Sequence, residues 1–451
     1  MLLRGMARHY GGLLNVEPGL PGCLLGCRAS PALPAPVLEC PVNPVASSLQ
    51  PVAVGDRIEV IDILRGVALL GILLMNMEAL SGPLDLAFTG IDPHWQGADR
   101  WADALIYVLV QGKFFTLFSL LFGAGFAIMA QRAEAARRDF TPFYLRRSAG
   151  LLLIGLCHAL LVWSGDILVL YALMSLPLLA FREAPPRWLP AMGGITYLFA
   201  SALMVGIGLL VGMTAQVDPG SSAMADAIAA GQRAIELQRQ AYAHGSWTDA
   251  VVQRAHDLQV NLGGMLVVGP EVLGMFLIGA GFAHSGALRD PERFSHLYDP
   301  LRWGAWPAGL VLMIISACWV PYVAPGTFSP ASGFAYALSS VASLLMCLGY
   351  LAWIVHARAH LRVLAPIGRM ALTQYILQSL VGTWVFYGYG LGAFESLPRL
   401  WQIPFALTLF ALQVLFAHLW LRHFRFGPLE WLWRAMTYGR WPPLRRSAGT
   451  H

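Results

Sequence analysis

The stretch from Leu151 to Tyr171, LLLIGLCHALLVWSGDILVLY, decides the fold. It is an apolar run interrupted only by His158 and by a Trp163-Ser164-Gly165-Asp166 corner, so it reads as two apolar helices with an imidazole and a carboxylate between them. An ionisable group at membrane depth is by default a candidate functional site. Working outward, the remaining apolar spans can be asked how they serve His158.

The chain has 451 residues, 57% hydrophobic and 12% charged, against roughly a quarter charged for an ordinary soluble domain. The composition is that of a polytopic membrane protein. A net charge of +5 arises from 29 Arg and one Lys against 25 acids, and the basic residues sit between apolar spans. No basic stripe on a soluble domain is left for nucleic acid.

The expected architecture is all-α, a polytopic transmembrane bundle of about ten spans with the N-terminus and C-terminus cytoplasmic. Residues 1–55 hold Cys23, Cys27 and Cys40 in a Pro-rich segment that reads as disordered or as an over-long start. Spans one to five fall in 56–214, an extracytoplasmic amphipathic insertion in 215–260, spans six to ten and a tail in 261–441, and a cytoplasmic tail in 442–451. The third span runs from Ser148 to about Trp163, which places His158 about 15 Å along it, near or beyond the midplane. Asp166 then falls at the far surface. The remaining cysteines, Cys157, Cys318 and Cys347, read as small packing residues, and no metal-ligand spacing is present.

Arginine placement orients the bundle. The segments 131–147, 182–187, 286–304, 356–369 and 422–451 hold 5, 2, 3, 3 and 6 basic residues, whereas four connections on the other side hold 1, 3, 0 and 1. Under the positive-inside rule the first set is cytoplasmic.

Each candidate residue has a bland reading beside the functional one. His158 could lock packing, or as a neutral imidazole it could take a proton from a hydroxyl. Asp166, eight residues on, could orient the ring only if the chain folds back. His94 lies beside Trp95 in an outer loop and is either a rival base or a solvated histidine. Glu271 follows Pro270, where a kinked helix could turn it to a cavity or leave it as a hydrogen-bonded helix contact. Asp62 and Arg65, three apart, share a helix face and fit an interfacial ion pair. Arg146 and Arg147 could receive the phosphates of an acyl-CoA or simply face anionic lipid. Gly123 to Ala127 and Gly279 to Ala283 are near repeats; recurring small-residue packing explains them better than a duplicated half.

Several motifs then resemble one bacterial membrane family, known as domain of unknown function 418 or YeiB-like. They are Asp62-Ile-Leu-Arg65-Gly66 with Asn76, the run Lys113 to Gly125, Gly155-Leu-Cys-His158, Gly165-Asp166-Ile-Leu168, Gly368-Arg369 to Tyr375 with Gln378, and Gly427-Pro428 to Arg434. The resemblance covers about Arg57 to Trp441. It is similar in turn to a wider group of transmembrane acyltransferases, and so implies transfer of an acyl group from cytoplasmic acyl-CoA, as co-substrate with no bound cofactor, to an extracytoplasmic hydroxyl or sugar.

On that reading His158, Asp166 and His94 are the catalytic candidates, and Arg146, Arg147 and Lys113 bind the acyl donor. Asp62, Arg65, Asn76, Glu271, Gln374 and Tyr375 line the cavity. His94-Trp95-Gln96-Gly97 is similar to the wider group's histidine motif, whereas the YeiB-like pattern favours His158 with Asp166, so both histidines stay open. Expected partners are membrane lipids, acyl-CoA and an acceptor, with oligomers allowed. Two rival readings remain: a proton-coupled transporter or flippase using Asp62, Glu271 and His158, and a scaffold acting through 215–260.

Overall fold

Apolar runs of this length have no water to satisfy their backbone, so they close their own hydrogen bonds as helices. The computed structural model describes residues 58–217 and 222–446; the expectations for 1–55 fall outside them. In chain order the helices are α1 (Glu59–Ser81), α2 (Gly97–Leu109), α3 (Lys113–Ala135), α4 (Phe140–Leu161), α5 (Leu168–Ala180), α6 (Leu189–Val217), α7 (Ala223–Arg239) and α8 (Trp247–Ser285). After these come α9 (Ser295–Pro300), α10 (Trp306–Trp319), α11 (Pro330–His356), α12 (Ala365–Arg369), α13 (Ala371–Phe386), α14 (Arg399–His423) and α15 (Pro428–Tyr438). No strand forms among the described residues; two isolated bridges, Gly90 with Tyr322 and Phe424 with Arg445, are the only extended pairings there.

Eight apolar stretches are long enough to cross a bilayer, counting α2 and α3 as one, Gly97–Ala135. The protein is membrane-embedded and all-helical. Eight of the ten expected spans correspond to these. The fourth and ninth are α5 and α13, of 13 and 16 residues. At 1.5 Å per residue they reach only about 20 and 24 Å, short of a hydrocarbon core of about 30 Å.

Two boundaries differ from the sequence expectation. α4 starts at Phe140, where Asp139 caps it by accepting from the Thr141 N–H at 3.0 Å. The arginine pair therefore lies inside the helix, and His158 sits in its last turn, about 27 Å from its start. α8 begins at Trp247 behind a Ser246–Asp249 capping box and continues unbroken past Pro270 to Ser285. The last third of the expected outer insertion is thus the first third of a membrane helix.

The near-repeated small-residue runs pack against each other. A Cβ on Gly123 of α3 would lie 1.9 Å from the Phe276 carbonyl oxygen of α8, and one on Gly279 of α8 would lie 1.8 Å from that of Leu120. Their recurrence reflects one close backbone crossing seen from both helices. Where lipid is as apolar as leucine, such van der Waals contact is what holds helices together. Gly279→Ala or Gly123→Ala should therefore cost at least the 1–3 kcal/mol of ordinary overpacking, about that range or above, read as a lowered melting temperature in detergent. Gly263→Ala, whose Cβ would meet nothing within 4 Å, should leave the melt unchanged.

Candidate functional site

Gly155 builds the site. A Cβ there would lie 2.8 Å from the Val169 backbone nitrogen, so only glycine lets the start of α5 close onto the end of α4. The corner folds back, and Asp166, buried rather than at the surface, meets His158: its Oδ1 lies 2.7 Å from Nδ1, with both side chains 1% exposed. Asp166 Oδ2 accepts the Val169 N–H at 2.7 Å, which caps α5. With Nδ1–H committed to the carboxylate, the lone pair of the neutral imidazole is on Nε2. That nitrogen is buried and has no hydrogen-bond partner among the described residues.

Tyr375 of α13 completes the centre. Its ring centroid is 5.2 Å from that of His158, and its hydroxyl donates to the Gly165 carbonyl at 3.4 Å.

The pair stands in a wall between two spaces. On one side is a cavity of about 430 Å³, whose polar lining includes Asn76, Lys113, Asp166, Glu271, Ser343 and Tyr375. On the other is a groove of about 610 Å³ lined by His158 and otherwise mainly by apolar side chains of α4 and α15. Asp166 belongs to the first lining and His158 to the second.

Within the cavity, buried Glu271 accepts from the hydroxyls of Ser340 at 2.8 Å and Tyr336 at 3.1 Å. Lys113 also lies here, not beside Arg146 and Arg147. A left-handed Gly112, φ 84°, breaks the α2–α3 run, and the lysine Nζ donates to the Tyr107 carbonyl in the last turn of α2 at 2.8 Å.

The other sequence candidates are more scattered. Arg146 is exposed, while Arg147 stacks its guanidinium 3.6 Å from the Trp433 ring centroid and accepts the indole N–H on its carbonyl at 2.8 Å. Asp62 and Arg65 form their ion pair at 3.6 Å and line neither space. Gln374 is buried outside both; its carbonyl accepts from Gln413 at 3.0 Å. His94 lies in the exposed loop before α2, its ring edge-on to Trp95 at 5.7 Å, and also lines neither space.

α15 is held in place at both ends of its inner face. Beyond the Trp433 contact, Glu430 accepts from the Leu372 and Thr373 backbone N–H groups at 2.7 and 3.1 Å and from the Thr373 hydroxyl at 2.6 Å. Burial pushes its carboxyl above the usual range, and those donors pull it back.

Two networks lay outside the sequence candidates. Arg399, at the start of α14, is 2% exposed and reaches Asp103 at 2.9 Å and Glu78 at 3.1 Å. An acid inside the apolar run of α1 was a visible signal for it. The second clamps the corner. Arg254 and Asp257, one turn apart on α8, take its two sides: Arg254 donates to the Leu161 carbonyl at 3.3 Å, and Asp257 accepts from Ser164 at 2.8 Å. Arg254 lies among the rings of Tyr242, Tyr387 and Tyr389, its Cζ 5.9, 5.6 and 5.5 Å from their centroids. Asp257 also accepts from Tyr242, Gln238 and Gln253. Asp257→Ala strands these donors, so a loss of about 1–3 kcal/mol for each buried donor left unpaired should appear as a markedly lower melting temperature, with Asp257→Asn recovering part of it.

Comparison with known proteins fits a chain whose site spans both halves of its length. A family model described as "Protein of unknown function (DUF418)" matches residues 282–440. The chain is 35% identical over 420 residues to "Uncharacterized protein YxaH" of Bacillus subtilis (strain 168), covering 89% of this chain and 99% of that one. It is 32% identical over 414 residues to "Uncharacterized protein YeiB" of Escherichia coli (strain K12), covering 85% and 96%. The family model takes in α13 but not α4 or α5, which only the two relatives' coverage of 89% and 85% of the chain reaches; on those two relatives the chain belongs to the DUF418, YeiB-like family of membrane proteins.

Proposed function

We propose that the chain is an acyltransferase of the bacterial inner membrane. It moves an acyl group from cytoplasmic acyl-CoA to a hydroxyl or sugar acceptor that approaches from the outer side. Ten passes with both ends cytoplasmic account for the arginine distribution: only if α5 and α13 also cross do all five arginine-rich segments share one face. The irregular corner before α5 supplies length that the helix itself lacks.

The observation that carries the reading is the buried His158–Asp166 pair with Nε2 unpartnered. A carboxylate that fixes the imidazole tautomer and leaves a bare nitrogen is the arrangement general-base catalysis needs. Nε2 takes the acceptor's O–H proton as its oxygen bonds to the thioester carbon. The carbon–sulfur bond then breaks, and the thiolate leaves with that proton. The polar cavity, with Asp166 and Tyr375 in its wall, suits a hydroxyl-bearing acceptor. Arg146, exposed near the cytoplasmic end of α4, suits the phosphates of coenzyme A; Arg147 serves mainly to hold Trp433.

Glu271 supports a second reading. A buried acid facing a cavity, ringed by Tyr336 and Ser340, also suits a proton-coupled transporter. A gradient-dependent uptake lost in Glu271→Gln, with no thiol release from any donor, would favour it.

Thiol release from acyl-CoA separates the two readings. Protein reconstituted in vesicles with a cell-envelope extract as acceptor source should release it, and His158→Ala should slow release about 10²–10⁴-fold with the melt preserved. Asp166→Asn should act in the same direction, since an amide cannot serve the Nδ1–H and the α5 cap as the carboxylate does. A folded His158→Ala protein that works at the wild-type rate removes His158 from the chemistry.

A further inference from the structure

The groove beside His158 differs from the polar cavity in what it can hold. On α4 its wall is Leu153, Cys157 and Leu161; facing them are Ile376 of α13 and Leu432 and Met436 of α15. Leu153 and Leu161 are 54% and 46% exposed on a helix long and apolar enough to span the bilayer. An exposed apolar face on such a helix is surface that lipid would cover. Apart from His158 and from Arg440 just beyond α15, the lining offers a polar ligand little to bind. At about 610 Å³ the groove is in the range of a full small-molecule site, roughly 300–1,000 Å³, and far larger than an acetyl group needs.

His158 lines the groove, and its Nδ1 is spent on Asp166, which does not line it. The ring nitrogen left for chemistry is Nε2, which is buried and has no hydrogen-bond partner among the described residues. A hydrocarbon chain lying along α4 would end with its first polar carbon beside that nitrogen.

We infer that the groove is the berth of the acyl chain, and that the acyl group handled at His158 is a long one. This deepens the acyl-transfer reading above and rests on it. The chain leaves water for an apolar wall, so donor binding tightens with each added methylene. α15, tied down through Glu430 and Trp433, forms the second wall, and the length it covers sets the preferred chain.

Two measurements on the full chain in vesicles test this. The first compares thiol release from acyl-CoAs of two, eight and sixteen carbons by the wild type and by Cys157→Trp, which fills the groove. The second needs no variant: labelling of Cys157 by a membrane-permeant maleimide, mapped by mass spectrometry, with and without each donor. The expected result is a preference of at least ten-fold in kcat/KM for sixteen carbons over two, cut at least ten-fold by Cys157→Trp, and slower labelling of Cys157 under the sixteen-carbon donor only.

Equal use of all chain lengths, a long-chain preference that survives Cys157→Trp, or labelling indifferent to the donor would each overturn the groove assignment while leaving acyl transfer standing. Protection of Cys157 by the long donor with no thiol release from any donor would keep the groove as a chain site and overturn the transfer reading.

Discussion

Non-helical backbone inside a membrane must find every hydrogen-bond partner within the protein, and the six residues between α4 and α5 carry that constraint for the whole site. The corner is tolerated because others hold it. Arg254 takes the last carbonyl of α4, Asp257 takes Ser164, Tyr375 reaches the Gly165 carbonyl, and Asn261 donates to that of Ser164 at 3.3 Å. Asp166 then closes the turn from within by capping α5 and seating His158. The clamp matters to the pair because the imidazole stands on the last turn of α4 while the carboxylate stands in the corner itself.

The same constraint explains the charged residues that look out of place in so apolar a chain. Lys113 answers the open carbonyl end of α2, and Arg399 gathers Glu78 and Asp103 where α1, α2 and α14 meet. Such groups strongly favour the built geometry, because a partner removed leaves a buried charge alone. They also divide the interior into regions of different character. The lining of the cavity mixes hydroxyls, amides and charged groups with apolar side chains, that of the groove is mostly hydrocarbon apart from His158 and Arg440, and the His158–Asp166 pair stands between them.

Much of this was legible in the residues. Hydropathy located the spans because a helix of about twenty apolar residues has one use, and the lone histidine in Leu151–Tyr171 marked the site. Helix lengths were less so: α4 runs two turns further back than its apolar stretch, because Asp139 rather than hydropathy sets its start. The distance from His158 to Asp166 was hidden, since eight residues along a straight helix are about 12 Å apart and only the glycine at 155 permits the reversal. Arg254 and Asp257 read as polar surface of an outer helix, and nothing local shows that α8 carries them inward. Arg147 read as a phosphate ligand because its stacking partner lies in the distant α15.

The glycine contact between α3 and α8 decides which parts of the molecule can move. Helices whose main chains touch cannot slide or rotate past one another without clashing, so these two behave as one rigid post. α8 also bears the clamp on the corner and the acid of the cavity, which makes the post the fixed frame against which the centre is measured. α15, by contrast, is held through side chains, with the Trp433 indole on the Arg147 carbonyl and guanidinium and Glu430 on the Leu372 and Thr373 N–H groups of α13. A side chain added at the α3–α8 crossing would therefore be felt at the corner, which it does not touch.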